Sequence, residues 1–266
     1  KHGDGLLEFK RFDEAIADYR KAREIIAGLW KNDPRQSEHE RDYLISNHRI
    51  GIALVDAGRK AEAVPYFDEE VAIARRRWEK APTKAWARRD LAVALQDRIQ
   101  ALPGVTGAAF SEVAPFWTFT RKEQTSILEG TAPEIQALAI AVDDTALGLL
   151  GIPILAGDGF RGPGVSSGEP VAIVTRSLAD RYGGDSMIGK HVRIANFPTM
   201  QRLRIVGISG NAQFGLANPE EREPPTVFVN FWEQSRRQAF SSLLIKTEPG
   251  VSLAGNMVGG VVRSLG

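Results

Sequence analysis

"LAVALQDRIQALPGV", residues 91–105, begins as one kind of protein and ends as another. Leu91, Val93, Leu95 and Ile99 sit among polar and charged residues in the manner of an amphipathic helix. Pro103 and Gly104 then stop it, and the chain beyond them is Gly-rich and strand-like. The composition changes at the same place. Residues 1–100 hold 38 of the charged residues but only 5 of the 26 glycines, and 11 of the 14 prolines lie beyond residue 100. High charge with little Gly or Pro suits solvated helices, and the reverse suits strands joined by turns. A boundary near residue 100 is therefore expected, with a helical segment over 1–98 and a second domain over 99–266.

In the first half, "FDEAIADYRKAREIIAGLW" carries Phe12, Ala15, Ile16, Tyr19, Ala22 and Ile26 at helical spacing. "DYLISNHRIGIALVDAG" does the same with Ile50, Leu54 and Val55, and Gly58 ends it. A further helix is expected from Lys60 to Trp78, with Pro65 near enough to its start to be tolerated or to kink it. The pattern repeats. Gly51, Leu54, Gly58, Ala63 and Phe67 recur 48 residues earlier as Gly3, Leu6, Lys10, Ala15 and Tyr19. A third, partial copy places Ala92 and Leu95 where Gly51 and Leu54 stand. Small residues at such positions allow close helix–helix approach.

This spacing resembles the tetratricopeptide repeat, with Gly3, Gly51 and Ala92 at one small position, Ala15 and Ala63 at the other, and Tyr19 and Phe67 at the aromatic one. It departs from that repeat in its longer period, in Asn47 where Trp is usual, and in Glu70 where a small residue is usual. "ERDYLISNHRIG" and "AWARRDLAVAL" also look like repeat arrays at the C-terminal end of some bacterial Ser/Thr protein kinases. A plain helical bundle is the alternative. Repeat geometry would line a protein-binding groove with Ile45, His48, Ile52, Trp86, Arg89 and Val93.

The second half alternates strands and short helices. Strands are expected at 105–110, 136–142, 170–175, 191–194, 202–209, 226–231 and 241–247, and helices at 144–151, 176–183 and 252–266. Without strict βαβ alternation this half reads as α+β with a mixed sheet. "LQDRIQALPGVTGAAF" resembles the opening of the MacB-like periplasmic core domain of ABC-transporter permeases. "VDDTALGLLGIPILAGDGF", "EPVAIVTRSLADRYGGDSMIGKHVRI" and "LRIVGISGNAQFGLANPEEREPPTVFVNF" come next in that family's order, so the resemblance covers about 95–266. It implies a domain normally flanked by transmembrane helices, which contacts a neighbouring copy or a periplasmic partner and does not bind ATP. The expected fold is thus multidomain, an all-α array of TPR-like hairpins followed by an α+β domain.

Bulk properties exclude several classes. The net charge is +1, so nothing demands a nucleic-acid partner. There is no cysteine, hence no disulfide or thiolate chemistry. The best span candidate, residues 137–157, carries Asp143 and Asp144, which at mid-bilayer would cost roughly 5 kcal/mol or more. No leader is visible after Lys1, and the sequence reads as a soluble chain, reaching a membrane only through other segments or partners.

Candidate chemistry is thin. "GDGFRG", Gly157–Gly162, matches the dinucleotide pattern, but "PGVSSGEP" cannot start the helix that pattern needs, so a loop is expected. Asp143, Asp144 and Asp158 lack the spacing of a calcium loop, and Asp144 is expected to cap the helix after it. His2, His39, His48 and His191 show no zinc-type spacing. Ser209 lacks the flanks of a nucleophile elbow. The basic run 74–89 reads as a solvated helix pair rather than a phosphate site. Phe110, Phe116, Trp117 and Phe119 suit core packing or a partner contact, and Phe116 and Trp117 join the candidate partner-binding residues. No catalytic residue, metal or cofactor is expected. The expectation is a non-enzymatic interaction and transmission module, extracytoplasmic rather than cytoplasmic; the alternative is a cytoplasmic scaffold of a Ser/Thr kinase system.

Overall fold

Small residues set how the N-terminal helices meet. In the computed structural model, which describes residues 2–112, 122–129, 133–160, 168–195, 201–212, 223–233, 242–252 and 258, α1 (His2–Glu8) pairs with α2 (Phe12–Asn32) and α3 (Ser37–Asp56) with α4 (Lys60–Lys80). A methyl group on Gly3 would meet the Tyr19 ring at 2.6 Å, and one on Gly51 would meet Phe67 at 2.3 Å. The turns match as well. Arg11 N donates to Leu6 O at 2.9 Å and Arg59 N to Leu54 O at 2.8 Å, the six-to-one bond of a Schellman motif. Gly58 occupies the left-handed position of the second turn at φ +75°, and Lys10 takes it in the first at φ +57°. Ala15 and Ala63 are fully buried between these helices. Pro65 lies inside α4, which runs through it.

The third copy does not close. α5 (Ala85–Gln100) carries a half-buried Ala92 and is followed by a strand instead of a partner helix. The fold class expected from the repeat is corrected accordingly. The chain is α+β, its helical repeat is confined to a few N-terminal helices, and there is no tetratricopeptide-like array. After α5 the chain turns at Gly104, whose φ of +75° and 2.6 Å approach of a would-be Cβ to Val251 both require glycine. β1 (Val105–Ser111) comes next. Returning chain completes this region, with Glu248 N donating to Gly104 O at 2.8 Å and Thr106 Oγ1 to Lys246 O at 3.2 Å.

The chain divides into two compact units, residues 1–107 with the chain from 246 onward, and residues 108–245. The second is built on a mixed sheet. Besides β1, the strands of that sheet are β2 (Lys122–Ile127), β3 (Ile135–Val142), β4 (Ile154–Gly157), β5 (Val171–Thr175), β6 (His191–Ile194), β7 (Leu203–Ser209), β8 (Thr226–Asn230) and β9 (Ser242–Thr247). Six of them close a ring in the order β2-β6-β7-β5-β8-β3, with β3 pairing back to β2 through Lys122–Leu138 to Thr125–Ile135. The β3–β8 and β5–β7 pairs are parallel, and the other four ring pairs are antiparallel. Alternate residues of all six strands, Ile127, Ala137, Val174, Val192, Ile205 and Val229 among them, fill the ring. α7 (Arg176–Ala179) adds Leu178 and Ala179 to that core.

β5 and β8 are buried on both faces, which is why they read as unbroken apolar runs. Their outward residues Ile173 and Phe228 join Leu138, Ile140 and Val142 of β3 under α6 (Ala146–Leu149). β2 and β4 are additions to the strands expected from sequence. The expected helix over 176–183 is shorter, passing into 3-10 turns at Asp180–Tyr182 and Gly184–Met187. The expected helix over 252–266 lies almost wholly outside the described residues. No helix among the described residues is long and apolar enough to cross a membrane.

Candidate functional site

The most distinctive chemistry lies within the helical unit. Three helices each contribute one ionisable side chain to a single buried point: His48 from α3, Glu70 from α4 and Asp97 from α5. Glu70 interrupts the apolar stripe Ala63, Phe67 and Ala74 on its helix, and Asp97 falls between buried Ala94 and Ala101. Helical spacing therefore turns both carboxylates inward. His48 Nδ1 lies 2.7 Å from Asp97 Oδ2 and 3.4 Å from Glu70 Oε1. The imidazole is 33% exposed, the Glu70 side chain 1% and that of Asp97 8%. Glu70 Oε2 is buried with no hydrogen-bond partner.

The electrostatics arise from this crowding. Burial raises the Glu70 carboxyl, His48 pulls it back, and Asp97 pushes it up again, to about 7. Burial opposes the charged form of His48, but Asp97 and Glu70 outweigh it and hold the imidazole well above its ordinary value. The result is a proton-sharing cluster at a three-helix junction.

The residues expected to line a groove lie on α3 and α5. Ile45 packs half-buried against the cluster around Leu44 and Ile73, Ile52 lies half-buried against the cluster around Ile50 and Phe67, and Val93 is half-buried on α5. Trp86 is exposed and carries the Arg77 guanidinium 4.7 Å from its ring centroid, and Arg89 pairs with Asp90 at 3.7 Å. Only His48 of this set enters the three-helix cluster. A repeat groove has no support, because there is no repeat array to form one. Phe116 and Trp117 lie outside the described residues. Phe110 stacks on Phe231 at 5.4 Å, within the barrel unit.

The basic run is largely paired: Arg76 and Lys80 both reach Glu40, and Arg77 bridges Glu40 and Asp90. Residues 158–160 of the glycine string have no regular structure, as expected, but Gly157 itself does not lie in the loop. It ends β4 in register with Gly207, and a Cβ there would stand 2.3 Å from Val206 O. Asp143, rather than the expected Asp144, caps α6: its Oδ1 accepts from Thr145 N at 2.9 Å and Ala146 N at 2.8 Å, while its Oδ2 accepts from Phe110 N at 2.6 Å. His191 is held by Glu129 at 2.6 Å and lies 3.5 Å from Glu169, itself paired with Arg204. Ser209 Oγ donates to the adjacent Gly210 carbonyl, with no base beside it among these contacts.

The family model for the MacB-like periplasmic core domain matches residues 25–255. The chain belongs to this family. The match begins inside α2 and runs through α3, α4, α5 and the barrel, so these helices fall within a MacB-like match and there is no support for a separate TPR segment or for a kinase system. Three solved structures are similar. A domain assigned to a permease protein of Porphyromonas gingivalis is 16% identical, covering 57% of this chain and 65% of that one at a TM-score of 0.42. The periplasmic region of MacB from Actinobacillus actinomycetemcomitans is 10% identical, covering 65% and 73% at 0.45. The extracellular domain of the noncanonic ABC-type transporter YknZ from Gram-positive bacteria is 13% identical, covering 63% and 75% at 0.41. The chain thus spans just under two thirds of the first of these. No curated protein matches it.

The cluster of His48, Glu70 and Asp97 is not legible in the sequence as a unit. His48 and Asp97 stand 49 positions apart, so no local spacing signals their meeting. The one signal is Glu70 itself, a carboxylate at a position where helix packing wants a small apolar residue.

Proposed function

We propose that this MacB-like domain is an extracytoplasmic, non-enzymatic module of an ABC-type permease. It contacts a neighbouring copy or a periplasmic partner and passes on movement generated elsewhere. The observation that carries this reading is the family match across residues 25–255. The barrel adds to it. Its interior is filled by aliphatic side chains, an arrangement suited to a rigid body that transmits force rather than to a reaction vessel.

Such a module needs no nucleotide of its own. The phosphate-like string begins at Gly157, the last residue of a strand. Titrating the purified chain with labelled ATP and Mg²⁺ tests the reading. No saturable binding is expected, and binding at micromolar nucleotide would contradict it.

A further inference from the structure

We propose that His48, Glu70 and Asp97 form a binding site for a divalent cation of the zinc class, one ligand from each of three helices. This goes beyond the transmission role and does not depend on it. It also reverses the expectation, drawn from histidine spacing, that the chain holds no metal.

The donor set is the first argument. One imidazole nitrogen and two carboxylate oxygens suit a borderline divalent ion such as Zn²⁺. All three donors lie within 4.8 Å of one another. Donors around a tetrahedral zinc stand about 3.3 Å apart, given bonds near 2.0 Å. The His48–Glu70 separation of 3.4 Å already fits. The His48–Asp97 separation of 2.7 Å has to open by roughly half an ångström, within the reach of a carboxylate rotation.

The second argument is Glu70. A carboxylate oxygen buried without a partner is costly, and Glu70 Oε2 is such an atom. Two acids face one imidazole here, and Glu70 Oε2 is the atom left without a partner. A dication neutralises both carboxylates at once and takes the place of the Nδ1 proton now directed at them. His48 is one-third exposed, so the point is within reach of solvent. Bundle cores hold metals in this way, with ligands projecting inward from facing helices.

The experiment uses the purified chain, stripped with chelator and titrated with Zn²⁺ against a chromogenic competitor. One zinc per chain is expected. Glu70→Gln, which keeps the side-chain shape, and Asp97→Asn should each weaken binding about tenfold or more. His191→Gln, which removes the His of the barrel's ion-pair cluster, should leave it unchanged. Co²⁺ in place of Zn²⁺ should give visible d–d bands in the parent that Glu70→Gln abolishes. If Glu70→Gln does not fold, Asp97→Asn and the Co²⁺ spectrum of the parent decide. An absence of stoichiometric binding, or binding that survives both carboxylate variants and vanishes with His191→Gln, would overturn the proposal.

Discussion

Gly51 of α3 and Phe67 of α4 are packed so closely that a single methyl group on the former would lie 2.3 Å from the ring of the latter. Gly3 and Tyr19 repeat the relationship one hairpin earlier. Flat aromatic against bare backbone is what allows two long helices to run together here, and it fixes where along their length they touch.

Gly51→Ala therefore overpacks the crossing. Inserting a methyl into a filled core costs roughly 1–3 kcal/mol, of which better helix propensity returns up to about 1 kcal/mol. A net loss of about 1–2 kcal/mol is expected in urea denaturation. Phe67→Leu in the same chain should relieve part of it, giving non-additive losses. Additive losses would show that the two residues do not press on each other.

The cluster at His48 makes stability depend on pH. A glutamate ionises near 4.5 when unfolded, and Glu70 does so at about 7 when folded. Its folded pKa is raised, so the contribution of its proton is complete below about 4.5 and lost as pH rises through about 7. His48 has the same sign, with its contribution present below 6.5 and lost at higher pH. Glu70→Gln removes the first of these losses. Its advantage over the parent should grow between pH 4.5 and 7 in metal-free buffer, measured by denaturation at each pH. Parallel curves would contradict the assignment.

Asp143 holds α6 onto the barrel unit's own strands by accepting three backbone N–H groups. Asp143→Ala leaves these donors unsatisfied and should cost about 2–4 kcal/mol. Asp143→Asn keeps an acceptor and should cost less. Equal losses in the two variants would show that the charge, not the acceptor, is what matters.

Much of this fold is legible in the sequence because its strands are covered. The runs at 171–175 and 226–230 are apolar throughout since both of their faces are packed, and they stand out accordingly. β2 escapes notice because "KEQTSI" is polar, and it forms a strand only by closing the ring between β3 and β6. β4 escapes notice because Gly157 suggests a loop, whereas the glycine is there to let two backbones approach. The tetratricopeptide reading fails for a related reason. Small–aromatic spacing reports that two helices touch closely, and two hairpins satisfy it without an array. The His48 cluster is hidden by distance along the chain, since contacts between three helices leave no periodic trace.

Placement of this domain outside the cytoplasm, as part of a permease, is directly measurable because the sequence has no cysteine. Thr83→Cys in the α4–α5 turn and Ser186→Cys near the end of the barrel's 3-10 turns both place a thiol at an exposed site. Either would be introduced into the full-length protein, and spheroplasts treated with a membrane-impermeant maleimide. Labelling of both positions in intact spheroplasts, unchanged by lysis, is the predicted result. Labelling that appears only after lysis would contradict an extracytoplasmic domain.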